Sequence, residues 1–204
     1  MCCRYYYEDF DRELRELMRA LEVVKLPEPV SREKTRRDVY PSQAGVVIHG
    51  DSGRERAMEV SEMYWGFSNP VRKGLIINAR AETAREKKTF ADSIERRRCV
   101  IPASGFYEWD PHKSKFRFTA PDGGLLLMAG FYREEQGVPR YTILTTAAND
   151  SMIRVHDRMP VMIGRDEVRP WIEDDSRLPE FLGREQFPLM CERESGQISF
   201  VFDE

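Results

Sequence analysis

The chain has 204 residues, of which 41% are hydrophobic and 33% are charged, and its formal net charge is −3. This length suits one domain of ordinary size, and the composition excludes a disordered chain. No apolar run approaches the roughly 18 residues that a membrane span needs, and no basic start followed by an apolar run indicates a signal peptide. We therefore expect a cytoplasmic protein with no membrane association.

Charge distribution and cysteine usage narrow the expected ligands. Residues 164–204 carry 5 basic and 11 acidic side chains, whereas residues 1–163 carry 27 and 24, so a polyanion site is expected in the first four-fifths of the chain. The four cysteines form no CxxC pair, which argues against a zinc site or a disulfide framework and predicts neither metal nor cofactor. Cys99 and Cys191 are expected to be buried thiols.

The predicted elements are short strands with a few helices. In chain order they are a strand over 2–7, a helix over 9–24, strands over 44–49, 59–67 and 74–78, helix-forming residues over 81–98, strands over 99–102, 105–109, 115–119, 125–132 and 140–146, a short helix over 147–156 and a last strand over 197–202. The turn PDGG predicts that the strands on either side of it pair as a hairpin. With no repeat and no linker, the pattern predicts one α+β domain over residues 1–204, with a mostly antiparallel, barrel-like sheet flanked by helices.

Cys2 is the first residue with unusual chemistry. Once the initiator Met1 is removed, Cys2 has a free α-amine beside its thiol, and both groups are nucleophiles available near neutral pH. This 1,2-aminothiol can condense with an aldehyde, first as a Schiff base and then as a five-membered thiazolidine. The alternative is an ordinary early residue, which the position alone favours.

Three further polar residues suit catalysis. Glu108 lies between Tyr107 and Trp109 in an otherwise apolar strand, where burial would suit it to general acid–base work, although strand alternation would instead point it to solvent. His156 opens the polar cluster His-Asp-Arg and is able to shuttle protons, although a single histidine is more often structural. Asn78 ends a predicted strand, where its amide would orient a nucleophile.

One cation and two aromatic residues indicate a surface for phosphates and bases. Arg80 closely follows Asn78 at the sheet edge, where it is either a phosphate ligand or an ordinary surface arginine. Trp65 and Phe67 would form a stacking platform for a base, although an aromatic pair is more often part of the core.

These residues fall in four separated motifs: Met-Cys-x-Arg-Tyr at the N-terminus, NARAET, RRRC-x-IPA-x-GFYEW and HDRMP. From residue 2 to about residue 163 their order closely resembles the SRAP family, the SOS-response-associated peptidase domains, and the acidic part over 164–204 adds little. One difference is Cys3, which stands where the family usually has glycine. Its nitrogen is a peptide amide, so Cys3 itself cannot form a thiazolidine.

The resemblance implies a protein that protects abasic sites in single-stranded DNA through a covalent bond to the ring-opened sugar aldehyde. By position, Cys2 is implied as the nucleophile, Asn78 as the residue that holds its α-amine and Glu108 as the general acid–base group. His156 is implied to assist proton transfer at the sugar, in ring opening and in slow reversal of the crosslink. The resemblance also implies an autoproteolytic step that exposes Cys2.

The implied DNA contacts come from three arginines and two aromatic side chains. Arg4, Arg80 and Arg158 would bind phosphates, and Trp65 and Phe67 would wedge or stack at the base next to the lesion. We expect a monomer in the cytoplasm, associated with the nucleoid in a bacterium, with the replication machinery as a further partner.

Two other function classes stay open. A cysteine-dependent peptidase or amidase would use the Cys2 thiol on an acyl carbon, with Glu108 or His156 as base. A binding module would use these residues without chemistry. A residue added before Cys2 distinguishes the crosslinking protein from the peptidase, because it abolishes thiazolidine formation and spares a thiol-only reaction.

Overall fold

The computed structural model describes residues 3–8, 10–23, 36–50 and 57–194. Within them the strands are β1 (Tyr5–Tyr7), β2 (Arg37–Val39), β3 (Ala44–Gly50), β4 (Met58–Trp65), β5 (Phe67–Ser68), β6 (Leu75–Ile76), β7 (Asn78–Arg80), β8 (Arg98–Ala103), β9 (Gly105–Trp109), β10 (Lys115–Thr119), β11 (Leu126–Glu135), β12 (Val138–Ala147), β13 (Arg158–Pro160) and β14 (Met190–Arg193). The helices are α1 (Phe10–Ala20), α2 (Ala81–Ala84), α3 (Ala91–Arg96), α4 (Val168–Glu173) and α5 (Leu178–Gly183), with single 3₁₀ turns at Arg165–Glu167 and Asp175–Arg177.

Five strands close into a barrel. β11 pairs with β8, β8 with β3, β3 with β4 and β4 with β12, and β12 pairs back with β11. All these pairings are antiparallel except that of β4 with β12. Near the end of β12, β7 and β13 lie on opposite edges, so that Thr145 pairs with both Arg80 and Pro160. The predicted α+β fold with a mostly antiparallel, barrel-like sheet is confirmed.

A second sheet carries the N-terminal strand. Its five strands lie in the order β14-β10-β9-β1-β2. The chain passes from the barrel to this sheet at Ser104, between β8 and β9. β1 runs antiparallel to β9, with Tyr5 opposite Phe106, and the Tyr107 N–H donates to the Arg4 carbonyl at 2.9 Å. Arg4 and β1 are therefore held beside the GFYEW strand.

Three buried aromatic residues, Tyr5, Trp65 and Tyr141, join β1 to the barrel, and we call them the aromatic cluster. The hydroxyls of Tyr5 and Tyr141 lie 2.5 Å apart, and the Tyr5 ring lies 5.2 Å from that of Trp65. The rings of Trp65 and Tyr141 are parallel, with centroids 6.3 Å apart. Only glycine fits at Gly45, because an added Cβ would lie 2.0 Å from the Tyr5 hydroxyl. This packing fixes where β1 begins.

The predicted amphipathic helix over 9–24 is observed as α1. Leu14, Leu17, Met18 and Leu21 recur at helical spacing and are buried in the core. The helix ends at Ala20, earlier than predicted.

Two predicted elements are wrong. Residues 147–156 form the end of β12 and a series of turns instead of a helix, because the Asn149 side chain accepts hydrogen bonds from the Ser151 N–H and hydroxyl and closes a local turn. The strands on either side of PDGG, β10 and β11, belong to different sheets and do not pair. The hairpin lies instead between β11 and β12, where Gln136 and Gly137 both have the positive φ of a type I′ turn.

Two further expectations concern the C-terminal part. Cys99 is buried as expected, but Cys191 is exposed, because it lies on the edge strand β14. The last predicted strand, over 197–202, lies outside the described residues.

Candidate active site

The predicted nucleophile Cys2 lies outside the described residues, which begin at Cys3. Cys3 is half-buried, and burial, together with the negative charge of Glu108, raises the pKa of its thiol. The register of β1 and β9, in which Tyr5 faces Phe106, places Cys3 opposite Glu108 when it is continued by two residues. Glu108 therefore lies beside the residue that directly follows Cys2.

Glu108 is buried, with 3% of its surface exposed. The solvent-facing alternative is therefore wrong. Its Oε2 accepts a hydrogen bond from the Trp109 N–H at 3.3 Å, and Phe116 of β10 is its partner across the sheet. A carboxylate that sits deep in a sheet next to the N-terminal strand is placed to exchange protons with groups there and is shielded from bulk water.

Four predicted site residues gather where β12 ends. Asn78 and Arg80 lie on β7 at one edge of β12. Arg158 begins β13 at the other edge, and His156 lies two residues before it. Glu82 on α2 completes the group, which we call the β12 rim: Asn78, Arg80, Glu82, His156 and Arg158.

His156 is half-buried and its ring is held in one orientation. Its Nδ1 accepts a hydrogen bond from the Arg158 backbone N–H at 2.9 Å, which in a neutral imidazole puts the proton on Nε2. An Asp157 carboxylate oxygen lies 3.0 Å from the same Nδ1 and would accept its proton in the charged form. The ring thus offers an Nε2–H donor, to which the described residues provide no acceptor.

Two of the predicted phosphate ligands lie in the β12 rim in different surroundings. Arg80 is exposed, and within the described ranges its guanidinium forms no ion pair. Arg158 is bonded to Glu82 by two hydrogen bonds, of 2.6 and 2.8 Å, and its Nη2 also donates to the Thr145 carbonyl at 2.6 Å. Arg80 is the cation open to an incoming phosphate, whereas Arg158 already has a carboxylate partner.

The third predicted phosphate ligand, Arg4, directly precedes β1 in the second sheet. Its guanidinium is paired with Asp38, with Nε 3.0 Å from the carboxylate. It also lies between the rings of Tyr40 and Tyr107, at 5.0 and 4.9 Å from their centroids. Arg4, like Arg158, therefore already has a carboxylate partner.

Trp65 and Phe67 are core residues in this structure, and their stacking on a DNA base stays a prediction. Each is 0% exposed, so neither ring has a free face. The Trp65 indole N–H donates to the Ile77 carbonyl at 2.9 Å, and the Phe67 ring packs 5.8 Å from Phe131. Gly66, with φ of 105°, turns the chain between them so that both rings face inward.

The aromatic cluster links the two parts of the site. Tyr5, on the N-terminal strand, packs on Trp65, and Trp65 is hydrogen-bonded to Ile77, the residue before Asn78. The oxygens Asn78 Oδ1 and Glu108 Oε1 are both buried. The Trp65 side chain therefore contacts both β1 and the residue that precedes β7, and so connects the N-terminal strand to the strand of Asn78.

Glu82 is a member of the β12 rim that sequence reasoning did not identify, although it lies in the same motif as Asn78 and Arg80. The available signal was an acidic residue in NARAET opposite an arginine in HDRMP. In a chain with 33% charged residues, two opposite charges in separate motifs do not specify a pair.

The described residues contain no group of three or more histidine, cysteine and carboxylate side chains arranged to hold a metal ion. In the same part of the chain, no helix is both long and apolar enough to cross a membrane.

Comparisons with known proteins agree with the motif pattern. The family model described as SOS response associated peptidase (SRAP) matches residues 1–189. The abasic site processing protein YoaM of Bacillus subtilis (strain 168) is 36% identical over 159 residues, which is 71% of this chain and 69% of that protein. The abasic site processing protein YedK of Escherichia coli (strain K12) is 26% identical over 157 residues, 73% of this chain and 68% of that protein. A crystal structure of a Bordetella bronchiseptica protein shares the fold, with a TM-score of 0.75 at 24% identity over 95% of this chain and 100% of that one.

Proposed function

Because the chain belongs to the SRAP family, we propose that it forms a covalent crosslink between its N-terminal cysteine and abasic sites in single-stranded DNA. The observation that carries this proposal is the buried Glu108 opposite Cys3, one residue from the proposed nucleophile. The relatives in Bacillus subtilis and Escherichia coli are named as abasic site processing proteins, which supports DNA as the substrate.

The reaction needs both nucleophiles of Cys2. After removal of Met1, the α-amine adds to C1′ of the ring-opened sugar aldehyde, and loss of one water gives a Schiff base. The thiol then adds to the same carbon, its proton passes to the nitrogen, and a thiazolidine closes. The net change is aldehyde plus aminothiol to thiazolidine plus water, with no oxidant or reductant.

Each proton transfer in this sequence has a supporting residue. Glu108 protonates the departing hydroxyl and accepts the thiol proton, which its depth in the sheet supports. His156, with its proton on Nε2, donates to the sugar oxygen as the ring opens and takes the proton back on reversal. Asn78 accepts a hydrogen bond from the α-amine through its buried Oδ1.

DNA binding in this proposal rests on three arginines, two of which lie in the β12 rim. Arg80 is exposed and is the first phosphate ligand in the proposal, and Arg158 and Arg4 reach phosphates only by sharing or exchanging their carboxylate partners. Phosphate contacts of this kind give an affinity that falls with salt and depends little on sequence. The proposed partner is single-stranded DNA with abasic sites, in the cytoplasm.

A peptidase activity is the second candidate, favoured by the description of the matching family model. In our proposal its substrate is the chain itself: hydrolysis of the Met1–Cys2 bond consumes one water and frees the α-amine. A general cysteine peptidase or amidase would instead use the Cys2 thiol as an acyl nucleophile.

The test is a denaturing gel of the protein with a single-stranded oligonucleotide that carries one abasic site, followed by intact mass of the shifted band. We expect a heat-stable adduct whose mass is that of protein and DNA less one water. Cys2→Ala should abolish it, and so should one residue added before Cys2. Hydrolysis of peptides or amides that survives this added residue would favour the peptidase.

Cys3→Ala is the matched control. Cys3 is a thiol one residue away, but its nitrogen is an amide, so this variant should crosslink like the wild type. An adduct that persists in Cys2→Ala and disappears in Cys3→Ala would contradict the proposal.

A further inference from the structure

The pair of Glu82 and Arg158 connects two motifs that are 76 residues apart in sequence. Both carboxylate oxygens accept from the guanidinium, at 2.6 and 2.8 Å, and the Nη2 that serves one of them also donates to the Thr145 carbonyl at 2.6 Å. Thr145 is the residue of β12 that pairs with β7 on one edge and β13 on the other. The guanidinium therefore spans the end of β12 and joins α2 to β13 in a two-point geometry.

The backbone N–H of Arg158 determines which ring nitrogen of His156 carries the proton. The Arg158 N–H donates to His156 Nδ1 at 2.9 Å, so the neutral ring carries its proton on Nε2. That bond requires the first residue of β13 to stay in place. Hydrogen bonds from Arg158 also lower the pKa of Glu82, so its carboxylate is charged at neutral pH and the pair is intact there.

We propose that Glu82 is a positioning residue: its carboxylate holds Arg158 across the end of β12, and the Arg158 backbone amide in turn holds His156 with its proton on Nε2. The contribution of Glu82 to crosslinking rests on the proposed function; its effect on the histidine does not. In this arrangement Glu82 competes with DNA phosphates for Arg158, so the residue favours the reaction step at the expense of binding.

The first test separates rate from affinity in Glu82→Gln. With saturating single-stranded DNA that carries one abasic site, we expect crosslinking to slow by about tenfold to a hundredfold, the range expected when a reacting group is misplaced. Affinity for undamaged single-stranded DNA should stay the same or increase, since Arg158 is released from its carboxylate. If Glu82 had only a structural role, the substitution would instead lower the crosslinking rate, the affinity for undamaged DNA and the melting temperature together.

Two variants sharpen this test. Glu82→Asp keeps the charge on a shorter side chain and should recover part of the rate. Glu180→Gln is the matched control, because Glu180 forms a similar two-point pair with Arg177, at 2.9 and 2.8 Å, on α5. It should react like the wild type. An equal loss of rate in Glu180→Gln and Glu82→Gln would overturn the proposal.

The second test needs no DNA. In ¹⁵N NMR spectra at alkaline pH, where imidazole is normally neutral, the wild-type His156 should show a protonated Nε2 and an unprotonated Nδ1. Glu82→Gln should show a mixture of both tautomers. An unchanged single tautomer would overturn the proposal. If the wild-type protein forms no adduct with abasic DNA, the proposed function fails and this NMR comparison alone decides the role of Glu82.

Discussion

The aromatic cluster is hydrogen-bonded to Ile77, the residue before Asn78 of the β12 rim, yet the polar groups of the two regions are used in opposite ways. In the cluster, the Tyr5 hydroxyl pairs with Tyr141 and the Trp65 indole is bonded to a backbone carbonyl, all without contact to solvent. In the rim, side chains are partly exposed and retain hydrogen-bonding capacity toward a ligand. Groups that are fully satisfied build the framework, and groups that are partly satisfied are available for chemistry.

The two regions also respond to pH in opposite directions. Burial raises the pKa of Tyr7, which lies beside Tyr5, to about 12, so its neutral form is favoured in the folded state. Hydrogen bonds from Arg158 lower the pKa of Glu82, so its charged form is favoured. The packing around β1 therefore loses stability in alkali, and the β12 rim loses it in acid.

A substitution at Arg98 has the largest expected effect on stability, and it tests whether buried, fully bonded groups form the framework. Although Arg98 ends the basic run Arg96-Arg97-Arg98, it is 3% exposed. Its guanidinium donates to the carbonyl oxygens of Trp171, Ile172, Ile94 and Glu95 and to the carboxylate of Asp175, at 2.6 to 3.2 Å. Arg98→Met should lower the free energy of unfolding by about 3–5 kcal/mol, because four backbone carbonyls, two of them in fully buried hydrogen bonds, lose a charged donor. Urea denaturation measures this change.

Arg96→Ala is the control for Arg98→Met. The Arg96 side chain is 77% exposed and lies near Asp92 on the surface of α3, so its removal should change stability by less than about 0.5 kcal/mol. Equal effects of the two variants would contradict the assignment of Arg98 to the framework. The residual folded Arg98→Met protein should still crosslink at the wild-type rate.

Alkaline unfolding gives the next largest effect. Unfolded tyrosine loses its proton near pH 10, whereas Tyr7 keeps it to about pH 12. Between these values the unfolded state binds fewer protons, so stability should fall by about 1.4 kcal/mol per pH unit for this residue. Tyr7→Phe should give a shallower fall between pH 10 and 12. A slope that is unchanged in Tyr7→Phe would show that another group is responsible.

Much of the fold was predictable because hydrophobic periodicity and turn residues are local signals. The amphipathic helix α1 and the barrel strands appear close to the predicted positions. The pairing of β11 with β12 was not predicted, because the Gln136-Gly137 turn is less conspicuous in sequence than PDGG. The PDGG turn connects two different sheets. The predicted helix-forming run over 81–98 contains two short helices, α2 and α3. It ends before Arg98, because the Arg98 guanidinium satisfies the C-terminal carbonyls of α3 while its backbone starts β8.

The site was predictable in its residue types and not in their partners. Glu108 and His156 lie in sequence contexts that single them out. Whether an arginine is free depends on groups distant in sequence, as Glu82 shows for Arg158 and Asp38 for Arg4. Such pairs are properties of the tertiary structure, and one sequence does not reveal them.

Trp65 provides the most direct separation of framework from site. Trp65→Phe removes the hydrogen bond to the Ile77 carbonyl and part of the ring packing on Tyr5, so we expect a loss of about 1–3 kcal/mol in the free energy of unfolding. The affinity for undamaged single-stranded DNA should not change, because the ring has no exposed face. Fluorescence anisotropy at fixed salt measures this affinity, since phosphate contacts make it depend on salt.

Trp109→Phe is the matched variant, because Trp109 is half-buried at the end of β9. Here the stability loss should be smaller than in Trp65→Phe, since the described residues provide no hydrogen-bond partner for its indole. If Trp65→Phe weakened DNA binding by tenfold or more while its stability matched that of Trp109→Phe, the indole of Trp65 would have to leave the core when DNA binds. The aromatic cluster would then be part of the site and not its framework, and the distinction between the two regions would fail at Trp65.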